Sequence, residues 1–147
     1  MKPVLSEWFD NMSYTTYNVK GDINQYMQIE VVFYETEDGK KPAKLFLTSL
    51  QDRKLKAKIY KTIELLEWQG IELREPYSKY LGDGIFELRT KQGSNMSRVL
   101  YFFFVDNRAI LTNGLIKKSQ KTPRQAIETA KRYKADYERR SRNGKIS

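Results

Sequence analysis

"IFELRTKQGSNMSRVLYFFFVDNRAILTNGLIK", residues 85–117, decides the fold, because three runs rich in β-branched and aromatic residues follow one another with only turn residues between them. The runs predict strands over residues 85–90, 97–105 and 108–117. The segments between them, KQGSN and Asp-Asn at 106–107, carry the Gly, Asn and Asp residues that hairpin turns favour. We therefore predict an antiparallel meander of three strands.

The middle run, RVLYFFFV at residues 98–105, is apolar almost throughout. A strand with one face in water would show polar residues at every second position. This run therefore predicts a central strand that is buried on both faces.

A further strand and a helix are predicted upstream. QIEVVFY, residues 28–34, is rich in β-branched and aromatic residues and predicts a strand, which the turn-forming EDGK at 37–40 ends. Pro42 suits the first turn of a helix over residues 43–50, since proline lacks the amide hydrogen that this position leaves unused.

A second helix is expected directly afterwards. Asp52 can cap its start, its apolar residues recur at spacings of four, four and three, and Gly70 stands where a helix usually ends. Glu64 and Glu67 lie three apart on this helix and are predicted to be surface residues. Residues 71–84 are predicted to be a loop.

The last element is predicted to be a helix. Thr122 and Gln125 form the Thr-x-x-Gln pattern of a capping box, and Pro123 fits the first helical position. Tyr133 and Tyr137 fall on the apolar stripe of this helix, so we expect them to pack rather than to catalyse.

These elements predict an α+β fold of one domain, in which an N-terminal strand and two helices precede the meander and a C-terminal helix follows it. We expect the helices to lie on one face of a twisted sheet. The domain is predicted to span residues 27–140, after an N-terminal extension of unassigned role at 1–26 and before a basic tail at 141–147.

Positive charge is unevenly distributed along the 147 residues. The formal net charge is +9, and residues 107–147, with 12 Lys or Arg and 3 Asp or Glu, carry all of the excess. A segregated basic surface favours a polyanion or an acidic protein as partner. The alternative is a solvated basic tail, and the five basic residues at 53–61 also fit a solvated helix face.

Several chemistries are excluded by composition. The chain has no His and no Cys, which removes the commonest general base, a thiolate nucleophile and most metal sites. We expect neither a metal nor a cofactor. No apolar run approaches the ~20 residues of a membrane span, and the first residues lack the apolar core of a signal peptide, so we expect a cytoplasmic protein.

The remaining candidate site is cationic. In the predicted meander two arginines flank one turn on neighbouring strands, and lysines end the last strand and precede the final helix. A cation cluster beside a helix N-terminus can bind phosphate, although lysines here also keep a strand end soluble. The residues are Arg89, Lys91, Arg98, Lys117, Lys118 and Lys121.

At these residues the sequence resembles the RelE/ParE toxin superfamily, and specifically the phage-derived, HigB-like branch of type II toxin–antitoxin systems. The resemblance covers roughly residues 27–140. It is carried by the ordered segments GIFELR (84–89), SRVLYFFF (97–104), GLIKKSQKTP (114–123) and RQAIETAKRY (124–133).

The resemblance implies a RelE-like fold, neutralisation by a cognate helix-turn-helix, HigA-like antitoxin, and metal-independent cleavage of mRNA on the ribosome. DNA would be met only through the antitoxin complex. By position, Arg89 and Arg98 would clamp the scissile phosphate as an RNA 2′-OH attacks it, and Lys117 would bind flanking phosphate or assist proton transfer. The residues assigned to RNA binding are Lys91, Lys118, Lys121 and Arg124.

This chain lacks the His that some HigB-like proteins use, and the general base is unassigned. Two alternatives are kept. One is a gyrase poison, as in the ParE branch, which shares the fold. The other is a non-catalytic module that binds nucleic acid through its basic last quarter.

Overall fold

The computed structural model describes residues 29–117 and 121–146. The predicted N-terminal extension and Lys118 lie outside these residues. The described part of the chain is an α+β fold with three α-helices and one five-stranded sheet. The elements are β1 (Glu30–Phe33), α1 (Pro42–Ser49), α2 (Arg53–Gln69), a short 3-10 helix (Gly70–Glu72), β2 (Ser78–Gly82), β3 (Ile85–Gln92), β4 (Asn95–Phe104), β5 (Arg108–Lys117) and α3 (Arg124–Arg142).

The predicted meander is confirmed. The sheet order is β1-β5-β4-β3-β2, with β4 antiparallel to both β3 and β5. β4 is the middle strand and is buried along most of its length, as its apolar sequence predicted. β1 pairs in parallel with β5. The turn between β4 and β5 comprises residues 105–107, and within it Asp106 and Asn107 adopt positive φ, at 66° and 56°, a conformation that Asp and Asn tolerate better than most residues.

The prediction of a loop over residues 71–84 is wrong. β2 lies within it and pairs with β3 in an antiparallel ladder at the edge of the sheet. An edge strand leaves much of its surface in water, so its sequence, SKYLG, needs little apolar alternation. The sequence therefore carries no clear strand signal. The hydroxyls of Ser78 and Tyr101 share a buried hydrogen bond of 2.5 Å, and burial raises the pKa of Tyr101 to about 12.

Helices cover both faces of the sheet, so the expectation that all of them lie on one face is wrong. α1 and α2 pack on the face that carries Leu88, Val99 and Leu111. α3 packs on the opposite face, against Leu100 and Phe102. The long apolar run of β4 supplies a side chain to each face in turn, and this is why two separate cores form.

Both tyrosines of α3 pack as predicted. Tyr133 stacks on the ring of Tyr34 with 4.5 Å between ring centroids. Tyr137 meets the ring of Phe104 edge-on at 5.0 Å. These contacts, with the hydrogen bond of 2.6 Å that the hydroxyl of Tyr34 donates to Asp136, attach the helix to β4 and to the residue that directly follows β1.

One predicted helix cap is confirmed and the other is wrong. The side chain of Asp52 accepts a hydrogen bond from the amide of Leu55 at 3.1 Å, and Gly70 follows the end of α2. At α3 the cap position is Pro123, with no capping side chain. The hydroxyl of Thr122 is instead bonded to buried charged groups, which form stronger hydrogen bonds than a backbone amide.

Glu64 and Glu67 are buried, at 0% and 3% exposed, so their prediction as surface residues is wrong. The C-terminal half of α2 is enclosed on more sides than its apolar stripe indicated. The chain entering β1 passes over it, where the amide of Ile29 donates to the carbonyl of Glu67 at 3.3 Å.

Candidate functional site

Three of the predicted site residues share one face at one end of the sheet. Arg89 on β3 lies directly opposite Arg98 on β4, and opposed residues of an antiparallel pair project to the same face. Lys117 lies opposite Met96, which is two residues from Arg98, so it also projects to this face. The register of the two hairpins therefore brings Arg89, Arg98 and Lys117 together.

A buried carboxylate holds both arginines. Nη1 of Arg98 donates to the two oxygens of Glu87 at 3.3 and 3.2 Å, and Nε of Arg89 lies 3.2 Å from Oε2 of Glu87. Thr122 donates its hydroxyl to Glu87 and accepts a hydrogen bond of 3.0 Å from Arg98. We call these four residues, Glu87, Arg89, Arg98 and Thr122, the arginine cluster.

The two arginines differ in exposure. The side chains of Glu87 and Arg98 are 1% and 2% exposed, whereas that of Arg89 is 15% exposed. A ligand at the surface can therefore meet Arg89 directly. Arg98 sits behind it, with Nη1 committed to Glu87 and Thr122.

The other predicted cations surround this face at different depths. Lys117 is half-buried, and Lys91 is exposed in the same row of the sheet, two strand spacings or about 10 Å away at the backbone. Lys121 is exposed in the segment before α3, and Arg124 is exposed as its first residue. Lys118 lies outside the described residues.

Two members of the arginine cluster, Glu87 and Thr122, are not among the predicted site residues. Glu87 and Arg89 are two apart on a strand, so their alternation alone indicated that they share a face. No such signal existed for Thr122, since its sequence context matched a helix cap and its partners are 24 and 35 residues away.

The structure also redistributes the positive charge. Five basic residues of the last quarter are neutralised by ion pairs, which form with acidic groups of α3 and with Glu30, Glu37 and Asp83. By contrast, no ion pair within the described residues involves the five cations of α2. Four of those five are exposed. They are Arg53, Lys54, Lys56, Lys58 and Lys61.

A groove of about 610 Å³ joins this basic helix to the arginine cluster. Four of the described residues that line it are cationic and none is acidic. Arg89 belongs to both the groove and the cluster. The lining residues are Ala57, Lys58, Lys61, Thr62, Pro76, Tyr77, Arg89, Thr90, Lys91 and Met96.

Within residues 29–117 and 121–146 no group of three or more acidic side chains is arranged to hold a metal ion. The side chains that reach this face include Arg89 and Lys117, which are cations and hydrogen-bond donors and so suit a phosphate. In the same part of the chain, none of the helices combines the length and the apolar character needed to cross a membrane.

The mixed five-stranded sheet with its three helices is compatible with a RelE-like fold, and the cationic face is of the kind that binds phosphate. Residues 46–135 match the family described as phage derived protein Gp49-like (DUF891), and the chain belongs to this family. The family is associated with RelE-like toxins of toxin–antitoxin systems, and an antitoxin is the partner it suggests. A search of curated proteins finds no match.

Proposed function

We propose that this protein is the toxin of a type II toxin–antitoxin system and cleaves mRNA on the ribosome without a metal ion. Membership of the Gp49-like family supports a toxin. The observation that carries the proposal is the pair of arginines opposed across β3 and β4 and fixed by one buried carboxylate, with Lys117 on the same face.

In this proposal an RNA 2′-OH loses its proton to solvent and attacks the adjacent phosphate. The bond from phosphorus to the 5′-oxygen breaks, the leaving oxygen takes up a proton from solvent, and a 2′,3′-cyclic phosphate and a 5′-hydroxyl are formed. The extra negative charge that develops on the phosphate is stabilised by cations that are already in place. Arg89 contacts the phosphate, because it is the arginine of the cluster that reaches the surface. Arg98 is a positioning residue, since it acts through Glu87 to fix Arg89. Lys117 binds the flanking phosphate.

Lys91, Lys118, Lys121 and Arg124 are proposed to hold neighbouring phosphates. Arg124 adds its charge to the N-terminus of α3, where backbone amides and the helix dipole also favour an anion. Lys91 and Lys121 are exposed, so they suit contacts with the RNA backbone.

The test is a cell-free translation reaction to which the purified full chain is added, with mapping of mRNA ends. We expect cuts in phase with codons, which disappear for Arg89→Ala and Lys117→Ala. Arg132→Ala, which removes an exposed cation from α3, is the matched control and should cleave normally. Intact mRNA at doses that inhibit translation would overturn the proposal, and inhibited DNA supercoiling at those doses would identify a gyrase poison instead.

A further inference from the structure

We propose that the groove between α2 and the open edge of β3 binds one unpaired nucleotide of single-stranded RNA, next to the linkage that the arginine cluster contacts. This inference rests on the proposed function, because it places the substrate's neighbouring nucleotide. The base would lie against Tyr77, and the phosphates on either side of it would meet the lysines of the rim.

The groove exists because β2 pairs with only part of β3: Ser78, the first residue of β2, lies opposite Leu88, and β3 continues to Gln92. The carbonyl of Tyr77 accepts a hydrogen bond from the amide of Arg89 at 2.8 Å, and the described ladder between the two strands goes no further along β3. α2 closes the other side. Thr90 donates its hydroxyl to Thr62 at 3.0 Å, and Nζ of Lys58 reaches the carbonyl of Lys91 at 3.4 Å.

The lining has two parts with different chemistry. The neutral part includes Pro76, Met96 and Tyr77. Tyr77 is 46% exposed, so an aromatic ring is available for stacking. The cationic part includes Lys58 and Lys61, both exposed and outside every ion pair within the described residues. Aromatic stacking combined with backbone neutralisation is how proteins bind single-stranded nucleic acid.

The groove continues the arginine cluster. Arg89 lines the groove and also lies 3.2 Å from Glu87, so one side chain borders both sites. An RNA strand whose phosphate meets Arg89 therefore extends directly over the groove. The volume, about 610 Å³, is within the range of about 300–1,000 Å³ found for small-molecule pockets, which suits a single nucleotide.

A single strand fits this arrangement better than a duplex. The bases of a duplex are stacked on one another and cannot enter a pocket. An acidic protein segment would use the lysines, but it would leave the exposed ring of Tyr77 without a planar partner. A nucleotide offers both groups that the groove can bind: a flat base for the ring of Tyr77, and phosphates on either side of the base for the lysines.

The test measures binding of fluorescent hexauridylate to the full chain, without ribosomes, across a range of salt concentrations. Tyr77→Ala should weaken binding about 10-fold, and Tyr77→Phe should bind normally because it keeps the ring. Lys58→Gln with Lys61→Gln should lower the salt slope by about 1.4, because two lysines no longer neutralise phosphates of the single strand. Lys44→Gln with Arg132→Gln is the matched control, in which two exposed cations elsewhere are removed and the slope should not change.

Three results would overturn the proposal that the groove binds a nucleotide. One is an equal loss in the matched control, which would indicate diffuse electrostatic attraction. Another is equally tight binding of a 12-base-pair RNA duplex. The third is binding of a polyglutamate peptide in place of hexauridylate. Loss of hexauridylate binding in the groove variants, with no mRNA cleavage by the unaltered protein, would support the groove while rejecting the ribonuclease. Normal binding by those variants, with codon-phased cleavage intact, would reject the groove alone.

Discussion

Glu87 and Arg98 form an ion pair of 3.2 Å in which both side chains are almost completely removed from water. Such a pair offers little net stability compared with apolar residues of the same size, since both charges must be desolvated. Removing one partner is different, because the other charge is then left buried. A small chemical change at Glu87 is therefore expected to have a large effect on the free energy of unfolding.

We predict that Glu87→Gln lowers the free energy of unfolding by about 3–5 kcal/mol, because Gln keeps the shape but leaves two arginine charges without a carboxylate. Urea denaturation at pH 7 measures this. The control is Glu30→Gln, whose pair with Arg108 is 3.9 Å long and exposed on the Glu side, so its effect should stay under about 1 kcal/mol. Equal losses for the two variants would show that burial does not set the strength of the Glu87 contacts.

Gly114 is expected to be intolerant of any side chain. A Cβ built there would lie 2.8 Å from Cε2 of Phe46 and closer still to Cδ2. The aromatic ring of Phe46, on α1, therefore packs directly on the backbone of β5. Gly114→Ala should destabilise the fold by about 1–3 kcal/mol, since either the ring or the strand must move. Thermal unfolding of the variant measures the loss.

Phe46→Leu supplies the control for Gly114→Ala. If the clash with the ring is the cause, Gly114→Ala should cost less in a Phe46→Leu background than in the unaltered protein. This coupling between the two substitutions is what a double-mutant cycle detects. Strict additivity of the two losses would mean that Gly114 is required for another reason.

Strands with strong local signals could be predicted from the sequence, and β2 could not. β5 was predicted over its whole length, because apolar periodicity and an Asp-Asn turn define Arg108–Lys117 without reference to the rest of the chain. β2 depends on its partner: its five residues become a strand because β3 presents an edge to them. The parallel pairing of β1 with β5 is likewise a long-range property that no local pattern carries.

The candidate site likewise has some features that the sequence predicts and others that it does not. Hairpin register follows from turn length, so the meeting of Arg89 with Arg98 was predictable. The burial of Arg98 and its bond to Thr122 depend on where Thr122 lies relative to the sheet, and sequence spacing does not contain that information. The sequence does not indicate the groove, because its walls, α2 and Tyr77, come together only through tertiary packing and neither carries a local signal for the other.

Arg89→Lys tests the geometry of the candidate site, given the ribonuclease proposal. Lysine keeps the positive charge beside Glu87, but it cannot donate two parallel hydrogen bonds to a phosphate. We predict that cleavage in the translation reaction falls about 100-fold, as when one donor to a developing charge is removed. Arg132→Lys, an exposed position on α3, should leave the rate unchanged. A normal rate for Arg89→Lys would mean that Arg89 contributes charge alone.

Asp136 gives the fold a pH dependence. Burial alone would raise the pKa of Asp136, but hydrogen bonds from Arg140 and Tyr34 outweigh it and hold the pKa below its ordinary value of 3.8. Because the folded-state pKa is the lower one, the stabilisation is fully present above the unfolded value and is lost as pH falls through the folded one. Asp136→Asn should therefore destabilise the protein by about 1–3 kcal/mol at pH 7. The difference should shrink as pH falls through the folded-state pKa, because the native carboxylate is then neutral as well.

Urea denaturation of both proteins at several pH values between 2 and 7 measures this difference. Glu138→Gln is the matched control, since it removes a partly exposed carboxylate from the same helix, where it pairs with Lys134 at 3.1 Å. Its effect should stay within about 0.5 kcal/mol at every pH, because an i,i+4 pair in water contributes little. If the gap between Asp136→Asn and the unaltered protein did not narrow below pH 4, the ionised carboxylate would not be what holds α3 to β1, and packing of Tyr34 against Tyr133 would have to account for that attachment.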